Sequence, residues 1–392
     1  MLYIGANTMK ILRLIAIFGI IPFLSSSMET AAENTEAIHR LVGYLPDWNY
    51  QSYKDIDISA LTNINIAFCN PDSKGNLSCD IPDNELHKIV SIAHENNAEV
   101  FAALGGASNC EVYLQFIDSP EEMEEFDKNI IAYCMKYMLD GIDLDIELGS
   151  HHQIWSYYED WCSDLRKLCD DNNLKMSTAT AHWVAEKVKT ETFAKFDFIN
   201  VMAYDNDEDE TSHSSYEYAV ECLSYFQNKK NIPSYKLVLG VPFYGRGYNT
   251  QGELDWNSYK SFADLVSKED ANYNRDFYNG IAYNGAETIA RKSILGKEYG
   301  GIMIWELTQD CKGDKSLLKV INDSFNMNSS VEGDINGDKE LNSADLVTLS
   351  RFLLGYKNTN IVNWEDGDLN EDNTLNLYDL IAMRKLIISR SL

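Results

Sequence analysis

Hydrophobic and polar positions repeat with two different periods along most of the chain. Between about residues 38 and 325, short apolar runs that fit β-strands alternate with charged stretches that have the spacing of amphipathic helices. The predicted strands are Leu41–Leu45, Ile64–Cys69, Val100–Leu104, Gly141–Ile146, Lys175–Thr180, Phe198–Ala203, Leu237–Pro242 and Gly301–Trp305. The main predicted helices are Asp83–His94, Glu121–Met138, His152–Asn172, Ser214–Gln227 and Ala286–Lys297.

This order of strands and helices favours an α/β fold of the (β/α)8 TIM-barrel type. A doubly wound open sheet is the structural alternative. The first strand, however, is not followed by the glycine-rich turn that binds phosphates in such sheets.

The pattern changes after Asn326. We expect a polar linker at residues 326–332 and a separate small domain at residues 333–392. That domain contains two similar segments, which begin at Asp334 and Asp368, 34 residues apart, and each leads into an apolar helical stretch. Repetition at a fixed period indicates two copies of one supersecondary unit.

The N-terminus has the pattern of an export signal. Lys10 and Arg13 precede the apolar run Leu14–Leu24, which is followed by three serines. Because the run is short for a bilayer span, we expect a cleaved signal peptide at residues 1–27 and a secreted protein without a membrane anchor. An uncleaved anchor is the alternative.

The chain of 392 residues has a formal net charge of −28. A surface of this charge repels phosphate backbones, so we expect no nucleic-acid partner. The eight cysteines include no C-x-x-C pair, which gives no indication of a zinc site, and the sequence assigns no disulfides.

The fourth predicted strand carries alternating acids. Side chains alternate faces along a strand, so Asp143, Asp145 and Glu147 share one face while three aliphatic residues share the other. Repulsion and partial burial should raise the pKa of at least one acid. Glu147, at the carboxyl end of the strand, is then a candidate proton donor for a glycosidic oxygen. A metal site or a solvated acidic edge is the alternative.

The D-x-x-D-x-D-x-E string at 140–147 resembles the signature of glycoside hydrolase family 18, the chitinases and related endo-N-acetylglucosaminidases. Further similarity extends over most of residues 40–320. The segments that carry it are Gly43-Tyr44 with Trp48, 198–205, Gly240–Arg246 and 301–306.

The resemblance implies a retaining mechanism in which the substrate's own 2-acetamido group is the nucleophile. It assigns Glu147 as acid and base, Asp145 as the residue that orients the acetamide, and Asp143 as its support. Tyr204 would donate a hydrogen bond to the acetamide oxygen. The expected substrate-binding residues are Tyr44, Trp48, Gly106, Met202, Asp205, Tyr244, Arg246 and Trp305. Plain core or rim positions are the alternatives for Tyr204 and the other aromatic residues.

Two departures from the family pattern lead to further expectations. Ala103 stands where the family usually has a serine, so we expect Asp143 to rely on Tyr44 alone, with a raised pKa. The segment 248–300, between the last two predicted strands, is short. We therefore expect no inserted small domain, an open cleft and endo action.

The C-terminal repeats resemble a dockerin, a small all-α module that binds calcium and docks to a cohesin on a scaffold protein. Oxygen ligands at loop positions 1, 3, 5, 9 and 12, with a backbone carbonyl at position 7, suit Ca²⁺. The predicted ligands of two ions are Asp334, Asn336, Asp338, Glu340, Asn342, Asp345, Asp368, Asn370, Asp372, Thr374, Asn376 and Asp379. Two acidic turns without metal are the alternative. No cofactor is expected for catalysis.

The sequence therefore predicts a secreted, monomeric chitinase tethered to a multi-enzyme scaffold. An endo-β-N-acetylglucosaminidase acting on glycoproteins and a non-catalytic chitooligosaccharide-binding protein are the alternatives.

Overall fold

The computed structural model describes residues 39–390, except 109, 150, 208–210, 250–253, 327–330, 339, 357–358, 360, 371 and 373. The predicted signal peptide and most of the predicted linker lie outside the described residues. The strands, in chain order, are β1 (Arg40–Pro46), β2 (Asn63–Ala67), β3 (Asn70–Pro71), β4 (Leu77–Ser78), β5 (Glu99–Gly105), β6 (Gly141–Asp145), β7 (Lys175–Thr180), β8 (Phe198–Val201), β9 (Leu237–Pro242), β10 (Tyr244–Tyr248), β11 (Leu254–Ser261), β12 (Phe277–Tyr278), β13 (Ile281–Ala282) and β14 (Gly301–Trp305).

Eight of these strands close into a parallel barrel in the order β1-β14-β9-β8-β7-β6-β5-β2. This closure confirms the predicted (β/α)8 fold and excludes the doubly wound alternative. The sequence prediction matches the observed bounds of β7, β9 and β14 and is within two residues at the ends of the other barrel strands.

Strand β6 separates the two apolar layers of the barrel. Ile142 and Leu144 point outward and belong to the large core between the strands and the surrounding helices. The inward side chains of neighbouring strands, such as Phe101 and Phe198, form a second core inside the barrel. Alternation along β6 therefore places Asp143 and Asp145 on the inner face, as the sequence predicts.

The helices surround the barrel and build the C-terminal segment. They are α1 (Asp83–Glu95), α2 (Leu114–Ile117), α3 (Pro120–Tyr137), α4 (Tyr158–Asp171), α5 (His182–Ala185), α6 (Thr190–Phe193), α7 (Tyr216–Asn228), α8 (Phe262–Lys268), α9 (Ala286–Lys297), α10 (Leu317–Asn326), α11 (Ser343–Leu353), α12 (Trp364–Gly367) and α13 (Leu377–Arg390).

Local signals explain where α3 begins and ends. Ser119 accepts a hydrogen bond from the Glu122 N–H, and Pro120 occupies the first helical position, where no N–H is needed. Met138 ends the helix in the left-handed region. The single helix predicted over His152–Asn172 is wrong at its start, because Gln153–Ser156 forms a separate 3₁₀ turn before α4.

The segment between β9 and β14 differs from the expectation. We predicted no inserted module there, but β10, β11, β12 and β13 form a four-stranded antiparallel sheet in the order β11-β10-β13-β12. Helix α8 follows β11 directly. The inserted sheet is small, and two of its strands, β12 and β13, have only two residues each.

The C-terminal segment has its own apolar core, formed by Ile335, Leu349, Leu375 and Met383. Helices α11 and α13 follow the two Asp/Asn-rich loops, as the repeat predicts. Asn342 caps α11 in a capping box with Asp345. Among the described residues, no helix has the length and apolarity needed to cross a bilayer.

Candidate active site

Asp143 lies at the bottom of the site and is fully buried. Its carboxylate accepts hydrogen bonds from the Tyr44 hydroxyl at 2.5 Å, the Ser177 hydroxyl at 2.5 Å and the Asn200 amide at 3.1 Å. The expectation that Asp143 relies on Tyr44 alone is therefore wrong, because strands β7 and β8 supply the donors that Ala103 cannot.

Burial raises the pKa of Asp143, and these hydrogen bonds lower it in part. The net direction is upward, as predicted, but the cause is burial and not a shortage of donors. The same burial, together with the charges of Asp143 and Asp145, raises the pKa of the Tyr44 hydroxyl well above its usual range.

Asp145 lies one step further along the inner face of β6 and is 3% exposed. Burial, followed by the charges of Glu147 and Asp143, raises the pKa of its carboxyl well above the usual range. Its Oδ1 atom is buried and has no hydrogen-bond partner among the described residues. A buried carboxylate oxygen of this kind can accept a hydrogen bond from a ligand donor.

Glu147 follows the end of β6 and lines the large cleft at the carboxyl ends of the strands. Its backbone N–H donates to the Cys110 sulfur at 3.2 Å. Burial and then the nearby charge of Asp205 raise the pKa of the Glu147 carboxyl to about 7. A carboxyl group of that pKa can both deliver and accept a proton near neutral pH.

Gly106 holds the end of β6 through its backbone. Its N–H donates to the Asp145 carbonyl at 2.7 Å. The residue has φ +87°, and a Cβ atom there would lie 2.6 Å from the Phe68 ring. The positive φ and the close approach of the Phe68 ring therefore both favour glycine at this position.

Tyr204 and Asp205 extend beyond β8 into the same cleft. Burial, followed by the charges of Asp145 and Glu147, raises the pKa of the Tyr204 hydroxyl well above its usual range, so this group stays protonated and able to donate. Asp205 has a lowered pKa, since His213 and Arg246 together outweigh the opposing effect of burial.

Arg246, on β10, is fully buried and lies 2.9 Å from the Asp205 carboxylate. His213 lies 3.4 Å from the same carboxylate through Nδ1. The structure thus brings Arg246 to the site as a partner of Asp205, beneath the cleft surface, and not as one of the residues that line the cleft.

Aromatic side chains form much of the cleft wall. Trp305 contacts the Tyr44 ring edge-on, with centroids 5.3 Å apart, and Tyr244 stacks on Tyr259 at 4.6 Å. Trp48 lies on the 3₁₀ helix Asp47–Lys54 and is 62% exposed. Met202 is nearly buried but reaches the cleft.

The cleft has a volume of about 1270 Å³, and Trp48 and Trp183 are among the residues that line it. That volume exceeds the range of most single-ligand pockets. Of the residues expected at the site, the cleft is lined by Tyr44, Trp48, Asp145, Glu147, Met202, Tyr204, Asp205, Tyr244 and Trp305. Asp143, Gly106 and Arg246 lie behind this surface and support it.

Sequence reasoning missed several supporting residues. Ser177 and Asn200 occupy inward positions of predicted strands, so their polarity was a signal that the alternation could have revealed. Cys110, His213 and Tyr259 lie outside the barrel strands, and no sequence pattern marks them.

The two C-terminal loops have the same hydrogen bonds at equivalent positions. In the first, the Asn336 and Asn342 N–H groups donate to Asp345 at 3.3 and 2.9 Å. In the second, the corresponding distances from Asn370 and Asn376 to Asp379 are 3.3 and 2.8 Å. The two segments that repeat in the sequence therefore form two loops with the same hydrogen-bond pattern.

The first loop also gathers carboxylates. Ligand oxygens of Asp334, Asp338 and Asp345 all lie within 4.8 Å of one another, and Asp334 and Asp345 are buried. Such a set of hard oxygen atoms suits Ca²⁺. The other predicted ligands of the first loop are Asn336, Glu340 and Asn342. Those of the second loop, besides Asp379, are Asp368, Asn370, Asp372, Thr374 and Asn376.

Solved structures with high similarity are chitinases. The GH18 chitinase ChiB from the chitin utilization locus of Flavobacterium johnsoniae is 33% identical, with a TM-score of 0.66, over 73% of this chain and 94% of that one. A chitinase from Bacteroides thetaiotaomicron is 27% identical, with a TM-score of 0.65, over 73% of this chain and 96% of that one.

Similarity to curated proteins is more distant. Chitinase A1 of Niallia circulans is 23% identical over 73% of this chain and 58% of its own length. A chitinase-like effector of Moniliophthora roreri is 26% identical over 58% of this chain and 63% of its own length. The chain thus spans about three fifths of the length of these relatives.

Two family profiles match the chain, one over the barrel and one over the C-terminal segment with its own apolar core. The profile of the glycosyl hydrolases family 18 matches residues 40–310, and that of the dockerin type I domain matches residues 332–388. With the barrel, the acids along β6 and the paired loops, these matches show that the chain belongs to glycosyl hydrolase family 18 and ends in a dockerin type I domain.

Proposed function

We propose that this protein is a secreted chitinase that hydrolyses β-1,4-linked N-acetylglucosamine polymers with retention of configuration. The observation that carries the proposal is the set of acids along β6. Asp143 is buried among donors, Asp145 has an unpartnered buried oxygen, and Glu147 faces the cleft with a pKa raised to about 7.

In the first step, Glu147 donates its proton to the glycosidic oxygen as the bond from that oxygen to the anomeric carbon breaks. The carbonyl oxygen of the substrate's 2-acetamido group attacks the anomeric carbon and forms an oxazolinium ion. Asp145 accepts a hydrogen bond from the acetamide N–H and stabilises the positive charge. Tyr204, kept protonated by burial, donates to the acetamide oxygen.

In the second step, the Glu147 carboxylate removes a proton from water, and the resulting hydroxide attacks the anomeric carbon. The ring of the oxazolinium opens, the acetamide is restored, and Glu147 is protonated again. Because attack occurs twice at the same carbon from opposite sides, configuration is retained. The raised pKa of Glu147 suits both roles at neutral pH.

The aromatic residues of the cleft support a polymeric sugar substrate. Trp305 lines the cleft against Tyr44 and would provide an apolar floor, while Trp48 and Trp183 are exposed lining residues. Pyranose rings stack on such faces. The similarity to chitinases favours chitin over an N-glycan, but endo-β-N-acetylglucosaminidase activity and binding without catalysis are retained as competing functions.

Product analysis on chitooligosaccharides and on an N-linked glycoprotein separates the three functions. The chitinase proposal predicts shorter oligosaccharides with initial β-anomers and no release of glycans. Glu147→Gln should lower kcat by roughly 10²–10⁴-fold, the usual range for a general acid. Glu287→Gln, an exposed acid on α9, is the matched control and should leave the rate unchanged. Glycan release without chitooligosaccharide cleavage would favour the second function, and binding without either product the third.

We also propose that the C-terminal domain binds two calcium ions and docks to a cohesin of a scaffold protein. The first ion would be held by Asp334, Asn336, Asp338, Asn342 and Asp345 with the Glu340 carbonyl. The equivalent ligands of the second ion are Asp368, Asn370, Asp372, Asn376, Asp379 and the Thr374 carbonyl. Calcium supplies the positive charge that lets the acids of each loop converge. Calorimetry with Ca²⁺ should give two bound ions.

This arrangement would place the enzyme outside the cell, attached to a multi-enzyme assembly, with the export signal at residues 1–27 removed. N-terminal sequencing of protein from culture medium checks the cleavage. The barrel would extend over residues 38–325 and the dockerin over 333–392, and the full chain would be a monomer in the absence of cohesin.

A further inference from the structure

The hairpin β3–β4 forms part of the cleft wall and carries two cysteines that the proposed chemistry does not use. Asn70 lies opposite Ser78, and Pro71 lies opposite Leu77. The next opposed pair in this register is Cys69 and Cys79. Both are free thiols in this structure.

The register puts these cysteines at a position that favours a covalent link. The Asp72 N–H donates to the Asn76 carbonyl at 2.9 Å, and in antiparallel ladders hydrogen-bonded pairs alternate with pairs that are not hydrogen-bonded. Counting back from that pair makes Cys69 and Cys79 a non-hydrogen-bonded pair, whose Cα atoms are typically about 4.5 Å apart. Disulfides span Cα separations of roughly 4.4–6.8 Å.

The thiols themselves are in contact. The Tyr133 hydroxyl lies within reach of both, at 3.6 Å from the Cys69 sulfur and 3.4 Å from the Cys79 sulfur. Cys69 is fully buried, whereas Cys79 is half-buried and lines the cleft. The Cys79 sulfur is therefore accessible to a small reagent from the cleft, whereas the Cys69 sulfur is not.

The two thiols also differ in reactivity. The neighbouring Cys69 and Tyr133 side chains, opposed by burial, lower the pKa of the Cys79 thiol to about 7. Burial raises the pKa of Cys69 well above its usual range. A thiolate is the attacking species in disulfide exchange, so Cys79 is the group that reacts first.

We propose that Cys69 and Cys79 form a reversible cross-strand disulfide that fixes the hairpin against the barrel beside the cleft. The oxidant is a small disulfide of the glutathione type. The Cys79 thiolate attacks one sulfur of the reagent, whose S–S bond breaks and releases one thiolate. The Cys69 sulfur, after losing its proton, then attacks the Cys79 sulfur and expels the second thiolate. The protein loses two electrons and two protons, and the reagent becomes two thiols.

Hydrogen bonds already hold the hairpin to the barrel at both of its ends. Asn70 is anchored to Gly105 by two hydrogen bonds, at 2.8 and 3.0 Å. The Asp80 N–H donates to the Asp47 carboxylate at 2.9 Å, beside Trp48. A Cys69–Cys79 bond would join the fixed first strand to the second strand and so restrain residues 70–78.

The test uses the full chain, fully reduced and then equilibrated with oxidised glutathione at neutral pH. Acid quenching, alkylation, digestion and mass spectrometry should give one linked peptide that contains Cys69 and Cys79, an intact mass lower by two hydrogen atoms, and six alkylated cysteines. Amide hydrogen exchange of residues 70–78 should slow on oxidation and recover on reduction.

Three variants give the controls. Cys79→Ser should lose both the linked peptide and the change in exchange, whereas Cys311→Ser, at a half-buried thiol elsewhere in the chain, should keep both. Cys69→Ala should accumulate a mixed disulfide of Cys79 with glutathione. Alkylation of all eight cysteines in the oxidised wild type, a link from Cys69 to Cys134, or a linked peptide without slower exchange would overturn the proposal.

Discussion

The Asp205 carboxylate is paired with the buried Arg246 guanidinium at 2.9 Å, and the same carboxylate raises the pKa of Glu147 across the cleft. His213 lies 3.4 Å from it. Asp205 therefore stays ionised, as its lowered pKa indicates, and provides a fixed negative charge beside the proposed acid. This charge can be removed by mutation, which gives the first prediction.

In Asp205→Asn, the pKa of Glu147 should fall, because a negative neighbour is replaced by a neutral amide and the charge of Arg246 is no longer balanced. The general acid must be protonated, so the alkaline limb of the kcat profile should move to lower pH. We expect a shift of roughly 0.5–1 unit, together with a lower rate. Rate measurements across the pH range on a chitooligosaccharide give the limb directly.

The control for this charge effect is Asp207→Asn, an exposed acid that also lines the cleft. Its alkaline limb should stay where it is. A loss of rate in Asp205→Asn without movement of the limb would mean that Asp205 acts only by binding sugar.

Ser177→Ala tests the support of Asp143. The Ser177 hydroxyl donates to the Asp143 carboxylate at 2.5 Å, and its loss leaves a buried carboxylate with one donor fewer. The unfolding free energy should fall by about 1–3 kcal/mol, and the pKa of Asp143 should rise further. Chemical denaturation and the pH–rate profile measure the two effects.

Ala103→Ser is the companion variant, because Ala103 lies opposite Asp143 in the β5–β6 register. Since Tyr44, Ser177 and Asn200 already donate to Asp143, the added hydroxyl should change the pH–rate profile less than Ser177→Ala does. A larger change in Ala103→Ser would show that the donors on β7 and β8 are not sufficient.

Glu147 should make folding stability depend on pH. Its folded pKa of about 7 lies above the ordinary value of 4.5, so the folded protein binds more protons than the unfolded chain between these values. Its contribution to stability is therefore present below about pH 4.5 and is lost as the pH rises to about 7. The maximum loss is about 3 kcal/mol, at 1.36 kcal/mol for each pKa unit.

Glu147→Gln removes this titration, so its Tm should rise relative to the wild type as the pH increases from about 4.5 to 7. Calorimetric scans of both proteins across this range give the difference. Glu287→Gln, in which an exposed acid is replaced, should follow the wild-type curve. Parallel curves for Glu147→Gln and the wild type would contradict the raised pKa.

Calcium removal should affect only the C-terminal domain. The acids of each loop converge without a positive charge when the ion is absent, and the small core of four buried residues offers little compensation. Chelation should therefore abolish cohesin binding and lower one of two melting transitions, while chitooligosaccharide hydrolysis stays nearly unchanged.

The matched variant is Asp345→Asn with Asp379→Asn, which removes the position-12 carboxylate from both loops. In the presence of calcium, this variant should show the same loss of cohesin binding and the same lowered melting transition as the wild type shows with a chelator. If chelation instead lowered hydrolysis and scaffold binding together, the division into two independent domains would be wrong.

Trp48→Ala tests the outer part of the cleft. The side chain is 62% exposed, so its removal should change stability by less than about 0.5 kcal/mol. The stacking of one sugar ring on this face contributes about 0.5–1.5 kcal/mol of binding free energy. Its loss should raise the KM for long oligomers roughly 2- to 10-fold and leave kcat little changed. Steady-state kinetics on oligomers of different length, with Trp183→Ala beside it, measure the effect. An unchanged KM would make Trp48 a rim residue only.

Much of this architecture is predictable from local patterns. The bounds of β7, β9, β14 and α9 follow from runs of apolar residues between charged stretches. The acids along β6 follow from alternation, and the twin loops follow from a repeat with fixed spacing. Each of these signals lies within a few consecutive residues.

The features that could not be predicted depend on distant parts of the chain. Alternation reveals the inward polarity of Ser177 and Asn200, but their contacts with Asp143 exist only because the barrel brings the three strands together. His213 reaches Asp205 from a loop without a sequence pattern. Strands β12 and β13 have two residues each, which is too short for a period to be recognised. The helix predicted over residues 152–172 is wrong at Gln153–Ser156, which forms a separate 3₁₀ turn before α4.

The two-faced character of β6 also limits how this protein can change in length. One extra or missing residue at the start of 141–147 would turn the three acids toward the helices and the aliphatic side chains into the barrel, so all three acids of the site would be lost at once. Just beyond, at Gly149, an added Cβ would meet no atom within 4 Å. We therefore expect insertions to disturb the site less after residue 148 than within 141–147.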